Sequence, residues 1–133
     1  MKLAPIVLFV YNRPSHTGQT VEALKKNTLA GESDLFIFAD GPKKETDRGK
    51  VKKVRKYIRT VDGFKKITII ERKKNFGLAE SIIKGVTEVT NKHGKVIVLE
   101  DDLLTSRYFL RFMNDALNYY QDEETVGYIH GYV

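Results

Sequence analysis

Residues 96–102 read VIVLEDD, a short apolar run that ends in three consecutive acids. The run is rich in β-branched residues, is too short for an ordinary helix, and is continuous rather than alternating. This pattern is typical of a strand that is buried on both faces of a parallel sheet. Three earlier runs have the same character, at residues 5–11, 35–39 and 67–70. The sequence therefore predicts four buried strands.

Helical patterns fill the intervals between these strands. Apolar residues recur at spacings of three and four around Val21 and Leu24, within residues 46–60 and 78–92, and in a stripe from Phe109 to Tyr120 that includes Phe112. Ser15 or Thr17 is expected to cap the first helix, and a last strand is expected from residue 126. Alternation of this kind predicts a three-layer α/β/α fold with a mostly parallel, Rossmann-like sheet.

The length of 133 residues suits one compact domain, so residues 1–133 are interpreted as a single domain. The formal charge is +6, and most of the basic excess lies in residues 43–74, which favours anionic partners. The chain has no cysteine, and its start lacks the long apolar region of a signal peptide. We therefore expect a cytoplasmic protein.

In a parallel sheet, ligands bind beyond the carboxyl ends of the strands, so the residues there are the candidates for function. Glu100, Asp101 and Asp102 follow the fourth strand, and three adjacent carboxylates repel one another. A divalent ion such as Mg²⁺ or Mn²⁺ would offset that repulsion and would also coordinate a diphosphate. The alternative is a solvated loop, or acids at the start of the next helix. The position directly after a buried strand favours the metal site.

The other strand ends each allow two interpretations. Arg13, after the first strand, is a candidate for neutralising phosphates. The pair Lys73–Lys74, after the third strand, is interpreted as solvated surface. Asp40 suits a nucleobase N–H or a ribose hydroxyl, but Asp-Gly-Pro is also a strong turn signal. Asn75-Phe-Gly77 suits a helix cap or a close approach of backbone to a ligand. A glycine-rich phosphate loop of the Rossmann or Walker type is absent from the sequence.

Taken together, these segments resemble a known family. VIVLEDDLLTSRYFLRFMNDAL resembles the Glu-Asp-Asp segment, a variant of the DXD motif, of GT-A glycosyltransferases, and is most similar to the N-acetylglucosaminyltransferases of hybrid N-glycan synthesis. IVLFVYNRP and LFIFADGPK resemble the first two strands of that fold. ERKKNFGLAESIIKG resembles the third strand and the following helix of family-two enzymes. The resemblance covers nearly the whole chain and implies a GT-A fold.

By that resemblance, Asp102 would bind a metal directly, Mn²⁺ or Mg²⁺, while Glu100 and Asp101 would face the ribose or the donor sugar. Asp40 and Arg13 would face the base and its surroundings. The implied partners are a nucleotide-sugar donor, with UDP favoured, and a glycan or lipid-linked acceptor in glycan or polysaccharide synthesis. The remaining residues that the resemblance implies for nucleotide-sugar binding are Asn12, Asn75 and Gly77.

The sequence departs from the family by ending at residues 127–133, where family members continue into an acceptor-binding region. The catalytic base is therefore expected beyond the chain end, and donor binding is expected without robust transfer. In the full-length protein, peripheral association with the inner membrane face is expected.

Two alternatives remain open. A sugar-nucleotide pyrophosphorylase has a related fold, but it usually carries a glycine-rich loop after the first strand, which is missing here. A non-catalytic basic α/β module would use residues 43–74 to bind nucleic acid or an anionic membrane, whereas the transferase interpretation predicts no nucleic-acid partner.

Overall fold

The computed structural model describes residues 2–119. Its sheet has four strands, which are β1 (Ile6–Val10), β2 (Asp34–Ala39), β3 (Lys66–Glu71) and β4 (Ile97–Glu100). The strand order is β3-β2-β1-β4, and every neighbouring pair is parallel. Each predicted apolar run coincides with one strand to within a residue at either end. The parallel α/β sheet expected from the sequence is thus confirmed.

The helices are α1 (Pro14–Lys25), α2 (Arg48–Ile58), α3 (Leu78–His93) and α4 (Phe109–Tyr119), with single turns of 3-10 helix at Ala30–Glu32 and Glu45–Asp47. The expected cap of α1 by Ser15 or Thr17 is wrong. The N-cap is Arg13, which makes no side-chain capping hydrogen bond, and Pro14 starts the helix. Proline suits the first helical position because its φ is already helical and its missing N–H has no partner there.

The helices cover the two faces of the sheet unequally. Leu24 of α1, Ile58 of α2 and Met113 of α4 pack on one face, in the larger of two apolar clusters. The other face carries α3, whose Val89 packs with Phe9 and Phe38. This arrangement gives the three layers that alternating strands and helices predict.

Burial differs along the sheet from the sequence-based prediction. All five residues of β1 are buried because this strand is central, whereas β3, at an edge of the sheet, has no fully buried residue. Phe112 is also not part of the core, since its side chain is 61% exposed on the outer side of α4. The strand predicted from residue 126 lies outside the described residues. Within residues 2–119, no helix is both long and apolar enough to cross a membrane.

Candidate functional site

The parallel strands bring four polar segments to one edge of the sheet. Because the strand order is β3-β2-β1-β4, the segment with Asn75 lies beside Asp40, then come Asn12 and Arg13, and then the acids after β4. All sequence-predicted site residues therefore lie along this carboxyl edge. Asn75 and Gly77 bond to Asp40, Asn12 bonds to Asp47, and Arg13 lies with the acids towards β4.

Asp40 is buried, with 6% of its surface exposed, and its carboxylate accepts four hydrogen bonds. Oδ1 accepts from the backbone N–H of Gly41 at 2.9 Å and of Phe76 at 2.8 Å. Oδ2 accepts from the backbone N–H of Gly77 at 3.1 Å and from the side-chain amide of Asn75 at 3.2 Å. An ionised carboxylate offers about four acceptor positions, so those of Asp40 are filled. We name Asp40, Gly41 and residues 75–77 the Asp40 clasp.

Backbone contacts make the clasp tight. A Cβ atom on Gly41 would lie 2.7 Å from the carbonyl carbon of Lys74, so a side chain has no room there. The Asn75 side chain also donates to the Gly41 carbonyl at 2.9 Å. From α2, the Arg55 guanidinium donates to the carbonyls of Asp40 and Arg72, which ties the ends of β2 and β3 together.

Arg72 is a buried cation beneath the clasp that the sequence did not single out. Its guanidinium lies 5.0 Å from the ring centroid of Phe38 and 4.4 Å from that of Phe76, and it donates to the Ser81 hydroxyl. Burial lowers the pKa of Arg72, and among the charges that oppose this shift that of Asp40 has the largest effect. Aromatic faces and a carboxylate are the surroundings that stabilise a desolvated guanidinium. The arginine thereby holds Phe76 against the sheet.

At the end of β1, Asn12 is held by a residue that the sequence analysis placed inside a helix. The Asn12 side-chain amide donates to Oδ1 of Asp47 at 3.2 Å, and the Tyr11 hydroxyl donates to Oδ2 at 2.8 Å. The same hydroxyl accepts from the backbone N–H of Lys43 at 3.0 Å. These bonds, the Tyr11 one first among them, lower the pKa of Asp47. The sequence analysis included Tyr11 in the first predicted strand, and its polar hydroxyl at the end of that run was the available signal for this contact.

The three acids at the end of β4 do not share one environment, and Glu100 belongs to the strand rather than following it as predicted. Glu100 is the last residue of β4 and pairs in register with Phe9, whereas Asp101 and Asp102 lie in the turn that follows the strand. Burial raises the pKa of Asp101, and the charges of Asp102 and Glu100 raise it further, while Arg13 and His16 oppose the shift. The backbone carbonyl of Asp101 accepts from the Thr20 hydroxyl of α1 at 2.9 Å.

Asp102 is exposed and forms no hydrogen bond or ion pair with any residue that the structure describes. Over residues 2–119, no three His, Cys, Asp or Glu side chains are grouped so that they alone could hold a metal ion. A free carboxylate beside a desolvated one nevertheless fits Mg²⁺ or Mn²⁺. Such ions are commonly bound through one or two carboxylates and take their other ligands from phosphates and water.

The chain after the acids is anchored by Asn27, which the sequence analysis missed. Its Oδ1 accepts from the backbone N–H of Leu110 at 2.8 Å, and its Nδ2 donates to the Thr105 hydroxyl at 3.2 Å. The backbone N–H of Thr28 also donates to the Arg107 carbonyl at 3.2 Å. The end of α1 thus fixes both the loop that leaves the acids and the start of α4. No periodicity or motif marks Asn27 for this role.

Comparisons with known proteins point to one family. The profile of glycosyl transferase family 2 matches residues 6–130. The crystal structure of S. aureus TarS is similar, with a TM-score of 0.58 and 15% sequence identity over 89% of this chain and 20% of TarS. The chain thus spans about a fifth of the length of TarS, and at this identity the likeness shows the fold alone. No curated protein sequence matches the chain significantly.

Proposed function

Since the chain belongs to glycosyl transferase family 2, we propose that it binds a nucleoside-diphosphate sugar, specifically a UDP-sugar, at the carboxyl edge of its sheet. In the proposal, the sugar passes to a glycan or lipid-linked acceptor in glycan or polysaccharide synthesis. Family membership favours this transferase over the pyrophosphorylase alternative. The narrower resemblance to the N-acetylglucosaminyltransferases of hybrid N-glycans stays a prediction.

The observation that carries the proposal is the position of Arg13 and Asp101 after the neighbouring strands β1 and β4, where the charge of Arg13 acts on the Asp101 carboxylate. Arg13 is exposed, and it is the largest opposing charge to the raised pKa of Asp101. Helix α1 also begins without a side-chain cap, so the N–H groups of Ser15 and His16, which follow Pro14, have no partner among the described residues and suit an anion. A diphosphate placed there would contact a guanidinium, a helix start and, through a divalent ion, the acids.

In the proposal, Asp102 holds the divalent ion directly, with Asp101 beside it. Its exposure and its lack of a partner among the described residues support this assignment. The ion, when bound, would stabilise negative charge on the departing nucleoside diphosphate. Arg13 would bind and orient the same phosphates, since an arginine fork matches their geometry.

Recognition of the base and the ribose is assigned to the site residues at the ends of β1, β2 and β3. Asn12, held by Asp47, and the clasp residues Asn75 and Gly77 present amide groups at the adjoining strand ends. Asp40 stays proposed as facing the base, but its four acceptor positions are filled, so a base N–H would have to replace one of the present donors. Its first role in the proposal is to hold the clasp.

Isothermal calorimetry against UDP, GDP, CDP and ADP, with and without Mn²⁺, tests the proposal through binding rather than turnover. We expect UDP to bind with Mn²⁺ and Asp102→Ala to weaken it at least about tenfold, a loss of roughly 1.4 kcal/mol. Asp115→Ala is the matched control, because Asp115 is an exposed aspartate on α4 that pairs with Arg111. An absence of binding across all four nucleotides would refute the assignment.

A further inference from the structure

Charge is divided unequally along this chain. Residues 43–74 hold fourteen Lys and Arg against four Asp and Glu, a surplus of ten, whereas the rest of the chain holds nine against thirteen. The basic segment forms α2, the edge strand β3 and the loops at both ends of β3. Because β4 lies at the other edge, the basic residues occupy one flank of the molecule and the acids Glu100–Asp102 the opposite one.

The arginines of this segment already have internal partners. Arg48 bonds to Glu45 at 2.6 Å, Arg59 bonds to Glu71 at 2.8 Å, and Arg55 and Arg72 donate within the protein. The lysines differ, since all ten are exposed and none forms an ion pair with a described residue. We name them the lysine flank: Lys43, Lys44, Lys50, Lys52, Lys53, Lys56, Lys65, Lys66, Lys73 and Lys74.

The chemistry of the flank decides which anion it suits. Nucleic-acid surfaces usually add free arginine forks and exposed aromatic rings on which bases stack. Here the forks are engaged, and the large exposed apolar side chains among the described residues all lie outside residues 43–74. The exposed ammonium groups of the lysine flank are point charges, and they impose no specific hydrogen-bonding geometry on a partner. Such an array matches a planar, diffuse negative surface.

We propose that the lysine flank docks on the surface of an anionic lipid bilayer. The contact is electrostatic, because the flank offers no exposed apolar side chain for insertion, and it is therefore reversible and sensitive to salt. The Arg13 and Asp101 end of the carboxyl edge lies towards β4, so it stays accessible while the flank contacts lipid. The flank adjoins the proposed donor site at Lys73 and Lys74, and the inference does not depend on nucleotide binding there.

Vesicle co-sedimentation tests the docking, comparing phosphatidylcholine vesicles that contain phosphatidylglycerol with pure phosphatidylcholine. The test variant replaces Lys52, Lys53 and Lys56 with Gln, since these exposed residues lie on α2 away from its buried Val51 and Val54. We expect its affinity for the anionic vesicles to fall about a hundredfold, from the usual contribution of each lysine near such a surface. Added salt should lower wild-type binding in the same direction.

A control variant separates the flank from overall charge. It carries the same three-charge loss at exposed lysines outside residues 43–74 and should lose far less affinity; its substitutions are Lys2→Gln, Lys26→Gln and Lys92→Gln. Equal losses in the two variants would overturn the proposal, as would equal binding to neutral and anionic vesicles. Lysine-dependent binding to duplex DNA or RNA without vesicle binding would also overturn it. Unchanged circular dichroism and thermal unfolding verify that both variants fold.

Discussion

Asp101 is partly buried and has two negatively charged neighbours, Glu100 and Asp102. Both conditions disfavour its ionised form in the folded protein. Burial is the main cause of its raised pKa, and Asp102 and Glu100 add to it, while Arg13 offsets only part of the shift. A group that prefers its neutral form in the fold is destabilising when it is charged. Shifted pKa values of this kind cluster at functional sites.

Asp101→Asn should therefore stabilise the protein in the absence of metal. Because the folded pKa lies above the unfolded one, stability is lost as pH rises through it, and the penalty is complete at neutral pH. The melting temperature of the variant should exceed that of the wild type at neutral pH, and the difference should vanish in acid. Manganese-dependent UDP binding should weaken in the same variant. A lower melting temperature at neutral pH would contradict this account.

Asp40→Asn tests whether the carboxylate holds the clasp or recognises the base. The amide keeps one acceptor oxygen, so donors among Phe76, Gly77 and Asn75 lose their partner, at a cost of about 2–3 kcal/mol in urea unfolding. Hydrogen exchange at the Phe76 and Gly77 amides should speed up. Loss of the clasp should weaken all nucleotides alike, whereas an altered preference among bases would show direct recognition. Asp34→Asn, at the other end of β2, is the control.

At the scale of elements, α3 packs closely on the sheet through a glycine. A Cβ atom on Gly85 would lie 2.8 Å from two ring atoms of Phe9 and 3.3 Å from Phe38, so either the buried Phe9 ring or the helix would have to move. Glycine is a poor helix former, and its place in the middle of α3 is explained by this contact rather than by propensity.

Gly85→Ala should lower the free energy of unfolding by up to about 2 kcal/mol, because an overpacking cost of about 1–3 kcal/mol exceeds the gain of about 1 kcal/mol in helix propensity. Gly49→Ala on α2 is the matched control, since a Cβ atom there would meet nothing within 4 Å. That variant should be unchanged or more stable by about 0.5 kcal/mol. Urea unfolding of the two variants measures both effects. Equal effects of the two substitutions would contradict the packing argument.

Helix α4 was predicted from the sequence, but the residue that fixes its start was not. Its apolar spacing predicted a helix, and Phe109 and Met113 of the predicted stripe are buried, whereas Phe112 is exposed. Its start is fixed by Asn27, through a hydrogen bond to the Leu110 N–H that spans 83 residues of sequence. Local periodicity carries no information on such a partner.

Over the whole molecule, the edge order β3-β2-β1-β4 separates the positive flank from the acids. The excess of lysine in residues 43–74 was visible in the sequence, but its collection on one side follows from β3 being an edge strand. The same order separates the Asp40 clasp from Asp101. The proposed donor site is therefore a row along the carboxyl edge rather than one compact pocket.

The chain's own pattern was sufficient for the parallel α/β fold and for the edge at which function is proposed. Continuous apolar runs and helical spacings are local properties, because burial on two faces or on one dictates them residue by residue. The register, the strand order and the partners of each polar group depended on packing between distant segments. The carboxylate of Asp40 illustrates this, since its donors at Phe76 and Gly77 lie 36 and 37 residues away. The sequence pattern placed those groups at the ends of strands, but only the folded backbone brings them within hydrogen-bonding distance.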